Sequence, residues 1–476
     1  MNYRQKVLSS LKWQASAQFF GQIASWLSTI VVIRLLDPTD YGVMALATIF
    51  VSFVLMMSDL GIGAAIVQAE KIDKEDWNYI QGFVFLFNVV ACLITLAASS
   101  VFASFFGEPR LVSILIVLSS GFLLIALYVL PQSRLIRELE FGKKAKVDIA
   151  GMTLSAVTAL ACAMAGCGVW SLVAGTLVRH GAQTIGFNVV SRGFVRPRLS
   201  FVYGSRFLQF GTLIVVDRLL WFVYSNLDLT IAGKLLGQET LGFYSVALML
   251  AAIPLDKVMP VLTQVAFPAV ARIQNDPARV RAGLLRVLRY ANTFFLPIFW
   301  GMALVASDGL LLLLSEKWQA SLVPFQLICV ILPLKAMAAL YPPALFGVGR
   351  PLVNVVNMAV SLVLLSIGFT FGVRYGVWGL AMSWVIVYPF VFLIISSRAF
   401  STLGMAWFDV LGRLYPAFLA AIVMSSVVYA FQVATPDWPV GLRLICSITC
   451  GCAVYTGIIA LIDRAVIGEL RSLLSR

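Results

Sequence analysis

Apolar residues occur in long blocks that recur along the whole chain. The blocks are continuous and do not alternate with polar residues, which indicates helices and argues against the period-two strands of a membrane barrel. A bilayer core about 30 Å thick takes about 20 apolar residues per helix, and by this rule the pattern predicts about fourteen spans. Their approximate bounds are 13–33, 43–67, 80–105, 110–131, 147–166, 169–190, 208–232, 243–268, 290–314, 320–346, 354–373, 376–396, 411–431 and 442–462.

Composition strengthens the membrane assignment. Of the 476 residues, 61% are hydrophobic and only 12% are charged, whereas soluble domains carry roughly 25% charged residues. We therefore predict an all-α polytopic membrane protein. The first block is too long for a signal-peptide core and lacks an evident small-residue cleavage site, so we expect it to stay as a span.

The net charge of +13 is distributed unevenly along the chain. Lysine and arginine gather at the N-terminus, in the even-numbered connectors and at the C-terminus, and this placement between apolar blocks argues against nucleic acid as a partner. The positive-inside rule predicts that this side is cytoplasmic and holds both termini. Arg179 is counted among the lysines and arginines of this cytoplasmic side. The opposite side holds only Arg34, Arg110, Lys234, Lys317, Arg374 and Arg443.

A short phrase occurs twice. Residues 34–47 read RLLDPTDYGVMALA and residues 234–247 read KLLGQETLGFYSVA, an offset of 200. Both copies fall at predicted outer turns, and the even number of spans between them predicts a parallel repeat, two six-helix lobes related by an axis along the membrane normal. Chance similarity is the alternative, because Leu-Leu and Gly are common in membrane sequences. The predicted domains are an N-lobe (1–200), a C-lobe (201–398) and two additional spans (399–476).

Ionisable residues inside the second lobe are the candidate site. Two similar lobes that face each other would place a cavity between them, which opens to one side and then the other, as in transporters. A charged residue within a span normally faces a bundle interior or such a cavity. The predicted spans contain the cations Arg218, Lys257 and Lys335 and the acids Asp217, Asp228 and Asp256. A rise of 1.5 Å per residue puts each cation about 21–22 Å from the outer surface, so we predict that they surround a polyanion. Asp217 and Asp228 would pair with these cations in the empty site, whereas Asp256, adjacent to Lys257, needs another partner or water. A structural ion pair is the alternative for each cation.

Metal and thiol chemistry find little support. The seven cysteines lie in or beside apolar blocks, and His180 is the only histidine. Without a histidine cluster neither a zinc site nor a catalytic thiol is indicated, and we expect the cysteines to be packing residues. We predict no metal site and no cofactor.

Four motifs carry a resemblance to a known family. They are DLGIGAAIVQ (59–68), RELEFGKKAK (137–146), PLDKVMPVLTQVAFPAVARIQND (254–276) and SEKW (315–318). In order and spacing they resemble Wzx-like flippases of the colanic-acid type, within the multidrug, oligosaccharidyl-lipid and polysaccharide exporter superfamily. The resemblance covers most of residues 1–400 and is weaker over the last two spans.

The resemblance implies a two-lobe exporter that moves a polyprenyl-diphosphate-linked oligosaccharide from the inner to the outer leaflet of a bacterial inner membrane. The diphosphate would meet the cationic interior, with lipid and other polysaccharide assembly proteins as further partners. Lys257 lies within a matched motif, whereas Arg218 and Lys335 are candidates through the charge argument alone.

Two other functional classes are alternatives. A drug or cation exporter of the same superfamily would favour an acidic cavity, because deep cations repel such a substrate. A membrane polymerase, ligase or glycosyltransferase would show a sizeable loop outside the membrane or an acidic metal-binding cluster, and neither is apparent in the sequence. We therefore predict a flippase and not an enzyme.

Overall fold

The protein is all-helical wherever its structure is described. The computed structural model describes residues 26, 28–58, 74–138, 140–191, 197–198 and 212–463, and within these ranges there is no β-strand. This confirms the predicted fold class. The motif at 59–68 and most of the first predicted span, 13–33, lie outside the described residues.

The helices follow the apolar blocks closely. From the second span onward, every predicted span overlaps a described helix, and the ninth and tenth are each divided between two helices. The helices are α1 (28–35), α2 (Pro38–Ser58), α3 (Lys74–Phe106), α4 (Arg110–Arg137), α5 (Phe141–Met164), α6 (Trp170–Val190), α7 (Thr212–Leu235), α8 (Gln238–Ile273), α9 (Pro277–Leu304), α10 (Ala306–Leu313), α11 (Leu322–Ala338), α12 (Tyr341–Gly347), α13 (Pro351–Gly372), α14 (Gly376–Leu403), α15 (Trp407–Ala434) and α16 (Val440–Ile462). Short 3-10 helices occupy Glu316–Ser321 and Val373–Tyr375.

The chain is a multi-pass membrane protein. Nine stretches of the described residues are long and apolar enough to cross a bilayer, and one of them, Pro351–Leu403, joins α13 and α14.

Local sequence sets the helix ends. The side chain of Asp276 accepts a hydrogen bond from the Arg279 backbone N–H, with Pro277 at the first helical position of α9, which is the expected N-terminal capping chemistry. Gly404 ends α14 in the left-handed conformation, with φ 65°, a backbone conformation that glycine commonly adopts at the C-terminal end of a helix.

The chain divides into two compact units. Unit 1 comprises Met1–Val215 and Gly237–Gly242, and unit 2 comprises Val216–Leu236 and Phe243–Arg476. Unit 2 includes α15 and α16, which pack on α9 through a core that contains Leu296, Met424 and Tyr455. The predicted boundary at residue 200 and the separate status of 399–476 stay predictions.

The tips of the repeated phrase touch each other inside unit 1. Gly42 lies directly against the carbonyl group of Gln238, and Gly242 lies against that of Pro38, so that a Cβ at either glycine would collide with backbone. Pro38 and Gln238, like Gly42 and Gly242, are 200 residues apart. Equivalent positions therefore make reciprocal contacts, as a two-fold relation between the copies requires.

Candidate functional site

A buried carboxylate is the centre of a polar cluster in unit 2. Asp228 of α7 is only 2% exposed. Its Oδ2 atom accepts hydrogen bonds from the Tyr244 hydroxyl at 2.8 Å and the Trp384 indole N–H at 3.2 Å, and its Oδ1 atom accepts from the Leu229 backbone N–H at 2.8 Å. Both carboxylate oxygens are thus satisfied by uncharged donors from α7, α8 and α14.

Lys335 of α11 brings a cation to the same cluster. Its Nζ atom lies 3.9 Å from the centroid of the Trp384 ring and 5.9 Å from that of Tyr224, which is cation–π geometry. Its charge also interacts with those of Asp228 and Asp256. Among the described residues, however, this ammonium group makes no hydrogen bond and no close ion pair. Aromatic faces therefore hold the cation and leave its three N–H donors for a ligand.

Aromatic rings complete the wall around this charge pair. The Trp384 ring packs against Tyr224, Tyr388 and Phe369 at centroid distances of 6.3, 5.6 and 5.0 Å, and the hydroxyl of Tyr388 interacts with that of Tyr224. We call Asp228, Lys335, Tyr224, Tyr244, Trp384 and Tyr388 the Asp228 cluster.

Helical spacing explains how the sequence builds this arrangement. Tyr224 and Asp228 are four residues apart on α7, and Trp384 and Tyr388 are four apart on α14. Side chains at this spacing lie on one face of a helix, one turn apart. Each of the two helices therefore presents two members of the cluster on a single face.

The structure separates the six sequence-predicted site residues into smaller groups. Lys335 and Asp228 meet in the Asp228 cluster, with Asp256 within electrostatic range. Asp217 accepts a hydrogen bond of 2.7 Å from the Asn354 side chain of α13, so its described partner is an amide and not a cation. The side chains of Arg218, Asp256 and Lys257 are exposed on the surface of unit 2, and Asp256 and Lys257 interact electrostatically with each other.

Sequence reasoning missed the aromatic members of the cluster. Tryptophan and tyrosine usually gather at the membrane interfaces, yet Trp384 and Tyr388 lie eight and twelve residues into α14. A buried indole N–H or phenol O–H needs a hydrogen-bond partner. Polar aromatics displaced from the span ends were therefore the available signal.

Comparison with known proteins gives a consistent result. A family model described as "Polysaccharide biosynthesis protein" matches residues 31–323. The lipopolysaccharide biosynthesis protein WzxC of Escherichia coli (strain K12) is 25% identical over 337 residues, which cover 70% of this chain and 68% of WzxC. The succinoglycan biosynthesis transport protein ExoT of Rhizobium meliloti (strain 1021) is 25% identical over 452 residues, covering 92% and 90% of the two chains. These matches confirm the family resemblance that the four sequence motifs indicate.

Solved structures show a similar fold. The lipid II flippase MurJ, in an inward closed conformation, superposes with a TM-score of 0.74 over 96% of this chain and 99% of that chain. Sequence identity is 13%, so the similarity concerns the fold alone.

Proposed function

Because the chain belongs to the polysaccharide biosynthesis protein family, whose model matches more than half of it, we propose that it is a flippase for polyprenyl-diphosphate-linked oligosaccharides. It moves these lipids across the bacterial inner membrane by alternating access and supplies repeat units for exopolysaccharide, capsule or O-antigen-type polymers. Both termini lie in the cytoplasm under this proposal. Transport and not bond chemistry is its task, in keeping with relatives named for polysaccharide biosynthesis and transport.

The observation that carries the proposal is the state of Lys335. A lysine in a span is costly unless it faces a partner or a wet cavity, and this one meets rings while its ammonium donors stay unused among the described residues. A diphosphate offers several strong acceptor oxygens and negative charge, the ligand chemistry that such an ammonium group binds. We therefore assign Lys335 to the diphosphate headgroup.

The remaining predicted residues keep secondary roles in this proposal. Arg218 and Lys257 are exposed cations on the same unit and contribute positive charge toward the headgroup. Asp217, Asp228 and Asp256 limit that positive charge, which prevents the anionic lipid from being held too tightly to leave.

Leaflet exchange in proteoliposomes tests the function and the site together. We expect the wild-type protein to exchange a fluorescent polyprenyl-diphosphate oligosaccharide between leaflets. Lys335→Met keeps an apolar stem but removes the charge, and it should slow exchange about tenfold or more, since hydrogen bonds to charged groups contribute about 1.5–3 kcal/mol. Lys335→Arg should retain part of the rate because the positive charge remains.

A matched control is Arg398→Gln, which removes an exposed cation near the end of α14, outside the Asp228 cluster. This control should exchange lipid at the wild-type rate. Wild-type exchange by Lys335→Met, at equal amounts of folded protein, would show that Lys335 does not bind the headgroup. Absence of exchange by the wild-type protein would instead refute the flippase assignment.

A further inference from the structure

Unit 1 contains a deep cation of its own. The charge count places Arg179 with the inner-side cations, but the structure puts it in the middle of α6, nine residues after Trp170 and eleven before Val190. At 1.5 Å per residue, its Cα atom is about 14 and 17 Å from the two helix ends. An arginine at this depth normally faces a bundle interior or a wet cavity, because facing lipid is costly.

The direction of Arg179 on α6 agrees with a wet environment. The exposed hydrophobic residues of this helix are Trp170, Ile185 and Val189. At 3.6 residues per turn, Arg179 projects about 180°, 120° and 80° away from them, respectively. Its exposed side chain therefore leaves α6 on a different face from the one that presents large apolar groups to lipid.

Polar side chains from α4, α5 and α6 surround this position. Arg179 interacts electrostatically with Tyr128 and with its neighbour His180, and the Tyr128 hydroxyl lies 3.4 Å from His180 Nδ1. One turn further along α6, the Gln183 side chain donates a hydrogen bond of 3.1 Å to Asp148. Tyr128, His180 and Gln183 thus form a polar group beside Arg179.

The local charge balance leaves Arg179 uncompensated. Asp148 is the nearby acid that bonds Gln183, but its other oxygen accepts a 2.7 Å hydrogen bond from Lys144, so the acid already has a cationic partner. Within the described part of the chain, Arg179 makes no ion pair and its guanidinium group no hydrogen bond. This cluster therefore carries one free positive charge.

The stem of Arg179 lies against α5. Gly151 of α5 faces α6, and a Cβ there would lie 3.3 Å from Gln183 Cγ and 3.8 Å from Arg179 Cγ. The stems of Arg179 and Gln183 therefore both lie against α5 at Gly151.

We propose that Arg179, with Tyr128, His180 and Gln183, forms a subsite for an acidic sugar of the transported oligosaccharide. This rests on the proposed function. The guanidinium fork matches a carboxylate with two parallel hydrogen bonds. The hydroxyl, imidazole and amide groups beside it have donors and acceptors suited to sugar hydroxyls. Because the diphosphate is assigned to Lys335 in unit 2, the uncompensated cation of unit 1 is available for a carboxylate on the sugars.

Two matched lipids test the subsite in the reconstituted full-length protein. Both are polyprenyl-diphosphate oligosaccharides of one length, and they differ only in a glucuronic acid that replaces a glucose. We expect Arg179→Gln to slow leaflet exchange of the acidic lipid about tenfold while the neutral lipid exchanges at the wild-type rate. Arg179→Lys keeps the charge without the fork and should give an intermediate rate for the acidic lipid. Arg398→Gln should leave both rates unchanged.

The outcomes separate the subsite from the function itself. Selective loss with the acidic lipid supports the assignment, whereas equal loss with both lipids overturns it and points to the shared diphosphate or to structure. Unchanged rates with both lipids also overturn it while the flippase assignment stands. Failure of the wild-type protein to exchange either lipid counts against the proposed function. Size-exclusion profiles of each variant confirm that equal amounts of folded protein are compared.

Discussion

The charges around α16 are satisfied differently from the charges around α7. Near the start of α16, Arg443 donates to both carboxylate oxygens of Asp308 in α10, with Nε at 2.8 Å from Oδ2. At the other end, Arg289 of α9 forms a similar two-bond pair with Asp463, just after α16. Planar bidentate pairs of this kind fix geometry. They hold both ends of α16 against its neighbours.

The charges of the Asp228 cluster do not meet each other in this way. Asp228 is bonded by Tyr244 and Trp384, and Lys335 lies on the Trp384 ring. Uncharged groups thus satisfy the acid and leave the cation available. The contrast separates charges that fasten helices from charges that can bind a ligand, and it predicts opposite effects on stability and transport.

Breaking the ion pair between Asp308 and Arg443 should have the largest effect on stability. Asp308→Ala leaves Arg443 without its carboxylate, and we expect the free energy of unfolding to fall by about 3 kcal/mol, the lower end of the range for removing one member of a buried pair. The lower end applies because the Arg443 side chain is 20% exposed. Thermal unfolding of purified protein measures the change, while exchange per folded molecule should stay at the wild-type rate.

The double replacement Asp308→Leu with Arg443→Met is the control for this pair. Removing both charges leaves no unpaired ion, so the double variant should unfold at a higher temperature than Asp308→Ala. If it were less stable than the single variant, the pair itself, and not the uncompensated arginine, would account for the loss.

The Asp228 cluster should respond less in stability and more in transport. Asp228→Ala leaves the Tyr244 hydroxyl and the Trp384 N–H without their shared carboxylate acceptor, which should cost about 2 kcal/mol. Asp228→Asn keeps an acceptor oxygen and should remain close to wild-type stability. It also removes the negative charge beside Lys335, so the apparent affinity for the lipid substrate should rise. Thermal unfolding and exchange rates against lipid concentration measure both effects; equal stability of the two variants would contradict the hydrogen-bond account.

The same contrast shows which features the sequence could and could not predict. Continuous apolar blocks predicted the helices because lipid leaves the backbone few other ways to satisfy its hydrogen bonds. Lys335 and Asp228 could be found because charge inside a span is rare and costly. Trp384 could be noticed as a polar aromatic far from the span ends. Its pairing with these charges could not be predicted, since the face that α14 turns toward α7 is decided by packing.

The depth of Arg179 along its helix was also predicted incorrectly. Counting arginines by the nearest connector treats the interior of a span as its end, and so it placed Arg179 with the inner-side cations. The structure locates this residue at the middle of α6. Neither the charge count nor the repeat indicates which neighbouring helices supply Tyr128 or Asp148, because those contacts join residues distant in the chain.

The smallest effect is expected for a charge pair at the connector between α3 and α4. Between α3 and α4, hydrogen bonds from Arg110 hold the pKa of the Glu108 carboxyl below its usual range. A lowered pKa means that the pair stabilises the fold above the usual glutamate pKa of about 4.3, and that this contribution disappears as the pH falls through the lowered value. Because Arg110 is 48% exposed, the contribution should stay below about 1 kcal/mol.

Thermal unfolding between pH 7 and pH 3 measures the Glu108 contribution as a difference between wild type and Glu108→Gln. The difference should be constant above about pH 5 and shrink below the usual glutamate pKa, because the protonated wild-type side chain then resembles glutamine. A difference that grew as the pH fell would have the wrong sign for a carboxylate stabilised by arginine. The stability difference could also be as large as the loss expected for Asp308→Ala. In that case the greater exposure of Arg110 would not make its pair with Glu108 weaker than the Asp308–Arg443 pair.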